Sequence, residues 1–202
     1  MPLKRRPLDR DGGVERDASL VIIASEDTHA PKQYFSRFKT KKLQFVVLNT
    51  ENGESSPENV VSRLLKFETD NIIEAGDTFW LLIDRDRWTV ACLSAVLSFC
   101  KQKDYGFAIC NPCFELWILL HFSDFVQELE SCSRICDKLK ELLGGYTKSS
   151  CKSLRITGDM VLEAMERARA MDVGKDEIER LPSAQVYKIM DLLIAKDAIQ
   201  FI

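Results

Sequence analysis

Apolar residues fall along the chain in two kinds of run. Short continuous ones, "LVIIAS" (20–25), "LQFVVLNT" (43–50), "TFWLLI" (78–83) and "YGFAIC" (105–110), are rich in β-branched and aromatic residues and predict strands. Between them the apolar residues take helical spacing. "PKQYFSRFKTKK" (31–42) carries Tyr34, Phe35 and Phe38, with Pro31 suited to a first turn. "SPENVVSRLLKFETDNI" (56–72) has Ser56 as a cap and Val60, Leu64, Leu65 and Ile72 on its apolar face, and "TVACLSAVLSFCKQK" (89–103) is a third helix. Strands alternating with helices imply parallel pairing, and strands apolar throughout imply a sheet covered on both faces.

After Cys110 the pattern predicts helices only. "NPCFELWILLHF" (111–122) would open with Asn111 as cap and Pro112 at the first helical position, followed by helices near 124–143, 157–171 and 183–197. No internal repeat interrupts this plan. The predicted organisation is a polar basic arm (1–18), an α/β domain (19–122) and a helical C-terminal extension (123–202) packed on it.

Charge narrows the partners. Lys+Arg 28 against Asp+Glu 31 gives a net charge of -3, so no global positive field draws nucleic acid, and such a partner must be held by a local patch or through metal ions. The longest apolar stretch, inside "CFELWILLHF", is too short to span a bilayer and carries Glu115 and His121. The N-terminus lacks the apolar segment of a secretory signal, so a cytoplasmic location is expected. The cysteines, 7 in number, read as reduced, mostly buried thiols. A four-thiolate zinc site from Cys110, Cys113, Cys132 and Cys136 is disfavoured, because one pair sits in a helical pattern and the other straddles a strand end.

Two strands end on acids: Glu26 follows the first, and Asp84 and Asp86 follow the third. Ligands of open parallel sheets gather beyond the carboxyl ends of the strands. Carboxylates crowded there repel one another and call for a counterion. Hard oxygen donors favour Mg²⁺ or Mn²⁺, whose usual work in such a cluster is phosphoryl chemistry. Acids at strand ends are also common simply as helix caps and loop formers.

Glu26, Asp84-Arg85-Asp86 and above all Asn111-Pro112-Cys113-Phe114-Glu115-Leu116-Trp117 resemble the RloB-like family of prokaryotic proteins, within the Toprim superfamily. Similarity extends to "KRRPLDRDGG" in the arm, to Tyr34-Phe35 and to "LPSAQVYKIMDLL" near the end. The resemblance implies a Toprim-like catalytic domain in which Glu26, Asp84 and Asp86 bind Mg²⁺ (or Mn²⁺), Glu26 acting as general acid/base or as a further ligand. It further implies anti-phage defence of the abortive-infection type and an AAA-type ATPase partner. One departure stands out: Toprim proteins commonly have Gly after the glutamate, where this chain has Asp27.

Other residues leave alternatives open. Glu115, on a helix apolar nearly all round, needs a partner, and either anchors the core, for instance to Arg85 or Arg87, or supports the metal site as part of the catalytic set. His121 reads as a satisfied interior histidine, and Trp88 and Trp117 as core. Lys148, Lys152 and Arg155 form a basic loop that either is simply solvated or meets a phosphate backbone, with Tyr146 available to stack on a base.

The functional expectation is a metal-dependent nuclease effector hydrolysing phosphodiester bonds in RNA or DNA. The alternative is a non-catalytic interaction subunit of a defence ATPase complex. Nucleotidyl transfer would need a phosphate-cradling Gly-rich loop, which the sequence lacks. Expected partners are the ATPase and a nucleic-acid substrate but no membrane, with self-association left open.

Overall fold

The structure is a computed structural model and describes residues 16–27, 29–38, 40–50, 55–85, 87–124, 131–172, 178 and 182–195. Its elements run β1 (Ser19–Ser25), α1 (His29–Phe35), β2 (Leu43–Leu48), α2 (Pro57–Asp70), β3 (Thr78–Asp84), α3 (Val90–Lys103), β4 (Gly106–Asn111) and α4 (Glu115–Leu119). They continue with α5 (Cys132–Leu143), a 3₁₀ helix (Lys148–Ser153), α6 (Gly158–Met171), β5 (Ser183–Ala184) and α7 (Val186–Ala195).

The five-stranded sheet has the order β2-β1-β3-β4-β5. β1 pairs in parallel with β2 and with β3, β3 pairs in parallel with β4, and β5 runs antiparallel to β4. This is the α/β sheet flanked by helices that the alternating pattern predicts. Strand side chains alternate between two cores. Ile22, Ala24, Leu81, Ile83, Phe107 and Ile109 pack with Val60 and Leu64 of α2 and Leu93 and Val96 of α3. On the other face Val21, Ile23, Leu82, Ala108 and Cys110 meet Tyr34 and Phe35 of α1, Trp117 of α4 and residues of α5, α6 and α7.

Local chemistry accounts for several boundaries. The Ser56 hydroxyl accepts from the Asn59 backbone N–H at 3.3 Å, and Thr89 does the same for Cys92 at 3.3 Å, capping α2 and α3. Asp104 closes α3 in the left-handed conformation, φ 57°. Gly106 lies opposite Trp80 in the β3–β4 register, and a Cβ there would sit 2.3 Å from the indole ring, so only glycine lets that ring lie across the strand.

Some expectations fail for reasons that lie far along the chain. Asn111 does not cap a helix, because it ends β4 and pairs with Ser183. Pro112 follows it through a cis peptide, and α4 begins only at Glu115 with Phe114 at its N-cap. The stretch after Cys110 is not wholly helical. Ser183 and Ala184 add an edge strand, anchored by the buried Gln185, whose backbone N–H donates to the Ile109 carbonyl at 2.9 Å. Ile72, expected on the buried face of α2, lies beyond the end of that helix and is 77% exposed. Cys113 and Cys132 are joined as a disulfide rather than held as separate thiols.

Of the arm, residues 1–15 lie outside the described residues. Its last part is anchored: the Arg16 guanidinium pairs with Asp77 and, at 3.1 Å, with Glu74. Asp77 also accepts from the Leu20 backbone N–H at 2.7 Å, tying the entry of β1 to the loop before β3.

Candidate cation site at the carboxyl edge of the sheet

Three acids emerge at the carboxyl ends of three neighbouring parallel strands. Glu26 directly follows β1, Asp84 ends β3, and Glu115 opens α4 just beyond β4, the strand order being β1-β3-β4. Asp86 lies outside the described residues. The β1–β3 register, Ser25 opposite Leu82, places Glu26 and Asp84 at adjoining strand tips.

Backbone around Glu26 is pinned from α2 and from the end of β2. Arg63 donates to the Ser25 carbonyl at 2.8 Å, and the Thr50 hydroxyl donates to the Glu26 carbonyl at 3.0 Å. The Glu26 carboxylate, only 3% exposed, is met by groups from the loop after β3. Arg87 pairs with it at 3.3 Å, and the Trp88 indole N–H donates to its other oxygen. Trp88 is therefore more than core, since its ring packs on the α2–α3 core while its N–H reaches the acid.

Asp84 accepts the Phe114 backbone N–H at 2.9 Å, which joins β3 to the entrance of α4. The ladder continues past it, with the Arg85 N–H on the Cys110 carbonyl at 2.8 Å. Glu115 has a fully buried side chain. Its partner is neither Arg85 nor Arg87, as the sequence suggested, but Lys148 at 3.5 Å. The same ammonium lies 2.7 Å from Asp27. Lys148 so spans from the end of β1 to the start of α4, on either side of β3.

The 3₁₀ helix that carries Lys148 is fastened to α1 and the turn after it. Arg37 donates to the Leu154 carbonyl at 2.9 Å and to that of Cys151, and the Lys152 N–H donates to Gln33 at 2.9 Å. Burial works against the Lys148 ammonium, but Glu115, Asp27 and Asp84 outweigh it and raise its pKa above the ordinary lysine value. Burial pushes the Glu115 carboxyl up; Lys148 pulls it back, and the Asp27 charge adds to the rise. The Lys148 contact is made to the Glu115 Oε1 atom. Tyr146, expected to be free for stacking on a base, is buried and so unavailable for it. Lys152 and Arg155 are exposed.

His121 is the satisfied interior histidine the pattern predicts. Its Nδ1 lies 2.9 Å from the Trp117 carbonyl and its Nε2 3.1 Å from the Tyr34 hydroxyl, a pairing that fits Nδ1–H as donor and Nε2 as acceptor. Burial lowers its pKa to about 4.

Among the described residues, which do not include Asp86, one group of side chains brings its ligand atoms close enough to share one ion. It consists of Cys113, Glu115 and Cys132, with one ligand atom from each within 4.8 Å of the others. Cys110 takes no part in it. That thiol is fully buried in β4, where burial and the charge of Asp84 push its pKa well up.

No curated protein and no solved structure matches the chain. No helix among the described residues is long and apolar enough to cross a membrane. A family model, described as RloB-like protein, matches residues 21–193, a span that takes in most of β1, Glu26, Asp84, the Asn111–Trp117 string and most of α7. The chain belongs to the RloB-like family.

Proposed function

We propose that the chain is a divalent-metal-dependent phosphodiester hydrolase with a Toprim-like catalytic domain, acting on RNA or DNA as the effector of an anti-phage defence system under the control of an AAA-type ATPase. The observation that carries this reading is the placement of Glu26, Asp84 and Glu115 at or just beyond the carboxyl ends of three adjacent parallel strands. Acids so placed act together on whatever is bound at that edge. Asp27 and Glu115 already draw one cation, the Lys148 ammonium.

Hard oxygen donors of this kind fit Mg²⁺ or Mn²⁺, with Glu26 and Asp84 as the ligands, joined by Asp86. A bound ion would polarise the scissile phosphate and lower the pKa of a water molecule. The chain's own residues supply the remainder. Glu115, raised by burial, is suited to hold and release a proton nearer neutrality than an ordinary carboxyl. Lys148, half-exposed while paired with Asp27 and Glu115, adds positive charge at the edge where a phosphate oxygen would lie. Exposed Lys152 and Arg155 continue the positive surface along the same loop, where a nucleic-acid backbone would lie.

The second reading, a non-catalytic subunit of the ATPase complex, draws on the internal pairing of the acids: Glu26 with Arg87 and Trp88, Glu115 with Lys148. Incubating the protein with tRNA or duplex DNA plus Mg²⁺ or Mn²⁺, with and without an AAA-type ATPase, separates the two. The nuclease reading predicts cleavage that Asp84→Ala abolishes while folding and assembly persist. Equal cleavage by the variant, or none under any condition, contradicts it.

A further inference from the structure

Behind the acid edge, Glu115 is buried against sulfur. Cys113 lies in the turn between β4 and α4, and Cys132 is the first residue of α5, capped by Ser131. Their Cα atoms are 5.7 Å apart. The Cys132 sulfur stands 3.5 Å from Glu115 Oε2. In the disulfide that sulfur bears no hydrogen, so the contact gives the carboxylate nothing. Among the described residues its compensation comes from the Lys148 ammonium, 3.5 Å from Oε1, and from its own backbone N–H. A fully buried carboxylate pressed on two sulfurs is poorly satisfied by a disulfide, and well satisfied by a cation that both sulfurs and the carboxylate bind together.

We infer that in the reduced protein Cys113, Cys132 and Glu115 form a binding site for one thiophilic divalent cation of the Zn²⁺ type. Around a tetrahedral zinc, with Zn–S about 2.3 Å and Zn–O about 2.0 Å, ligand atoms stand roughly 3.5–3.8 Å apart. The Cys132–Glu115 separation of 3.5 Å is already of that size. The sulfurs need only be freed from each other. Cys136, one turn along α5 from Cys132 and within electrostatic reach of Glu115, is the thiol available for a fourth position.

The chemistry balances simply. An external dithiol supplies two electrons and two protons to the disulfide, giving two thiols, and the metal then displaces both thiol protons. A small-molecule disulfide that takes two electrons from the two thiolates, and leaves as two thiolates itself, re-forms the Cys113–Cys132 bond and expels the ion, so metal and disulfide exclude each other. This inference goes beyond the proposed hydrolase reading and does not depend on it. A soft sulfur-rich site and a hard oxygen site differ in their ions.

The test uses the full chain, reduced with excess dithiol under argon, desalted, and titrated with Co²⁺ and with Zn²⁺. The inference predicts one tightly held equivalent, a sulfur-to-cobalt charge-transfer band in the near ultraviolet, and displacement of Co²⁺ by Zn²⁺. The oxidised protein should retain less than a tenth as much metal. Cys132→Ser should weaken the charge-transfer band and cost at least tenfold in affinity, and Glu115→Gln should weaken binding with the band kept, circular dichroism verifying that each variant is folded. A reduced wild-type protein without the band overturns the site whatever the variants do, as does a band that Cys132→Ser leaves unchanged. Because metal content is the readout, a nuclease-negative result leaves this test intact.

Discussion

Glu26 and Glu115 are both buried acids at the same end of the sheet, yet they are neutralised in opposite ways. Glu26 is met by Arg87 and Trp88, which follow directly on the neighbouring strand, and its cation is 63% exposed. Glu115 is met by Lys148, delivered by a separate 3₁₀ helix that α1 holds in place. An exposed guanidinium can swing into water at little cost, leaving Glu26 open to another cation. Glu115 has less such freedom, because Lys148, the cation it touches among the described residues, is held at the same time by Asp27. One acid is placed to exchange its partner, the other to keep it.

The largest effect expected from this contrast is at Lys148. Removing one member of a buried ion pair costs about 3–5 kcal/mol, and the half-exposure of Lys148 reduces this to about 2–3 kcal/mol for Lys148→Met. Adding Glu115→Gln should restore most of the loss. Denaturant unfolding of the single and double variants measures it, and additive losses would break the comparison. The Lys148→Met penalty should also shrink in acid. A carboxyl with a raised folded-state pKa favours folding below its unfolded value and loses that contribution as pH rises through the folded one, so protonating Glu115 removes the stranded charge.

His121, on the same side of the sheet as Glu115, should act in the other sense. Its pKa is lowered to about 4, so the stability it supports is present above the ordinary histidine value of about 6.5 and is lost as pH falls toward 4. The slope it adds is up to about 1.4 kcal/mol per pH unit. Stability measured at several pH values for wild type and His121→Gln should show that slope only in the former.

Effects at Glu26 should be smaller. Trp88→Phe deletes the indole donor to a buried carboxylate while keeping an aromatic ring, for a loss of about 1–2 kcal/mol by thermal unfolding. Arg87→Ala should change stability by less than about 0.5 kcal/mol, since the guanidinium is largely in water. A loss at Arg87 as large as that at Lys148 would erase the distinction between the two acids.

How much of this could be read from the chain follows the same division. β1 through β4 and the helices between them are legible, because each is a local pattern, the second helix opened by a local signal at Ser56. The placement of Glu26 and Asp84 at strand tips follows from that pattern together with the strand order. The partnership of Lys148 with Asp27 joins residues 121 positions apart, and no spacing announces it. β5 has only two residues, and exists because β4 offers it an edge. Asn111-Pro112 has the form of a helix start, but pairing of Asn111 with Ser183 extends the strand instead. The closeness of Cys113 to Cys132 depends on how α5 packs on α4, which the helical pattern around Cys132 leaves undetermined.

The most direct test of the central claim is a Mn²⁺ titration followed by electron paramagnetic resonance, which reads free and bound ion without requiring a substrate. The account predicts that the wild-type chain takes up Mn²⁺ and that Asp84→Asn weakens binding at least tenfold, with Glu26→Gln acting in the same direction. Wild-type protein that leaves all the Mn²⁺ free at millimolar concentration, or an Asp84→Asn variant that binds it as well as wild type, would contradict a metal site at the carboxyl edge of the sheet.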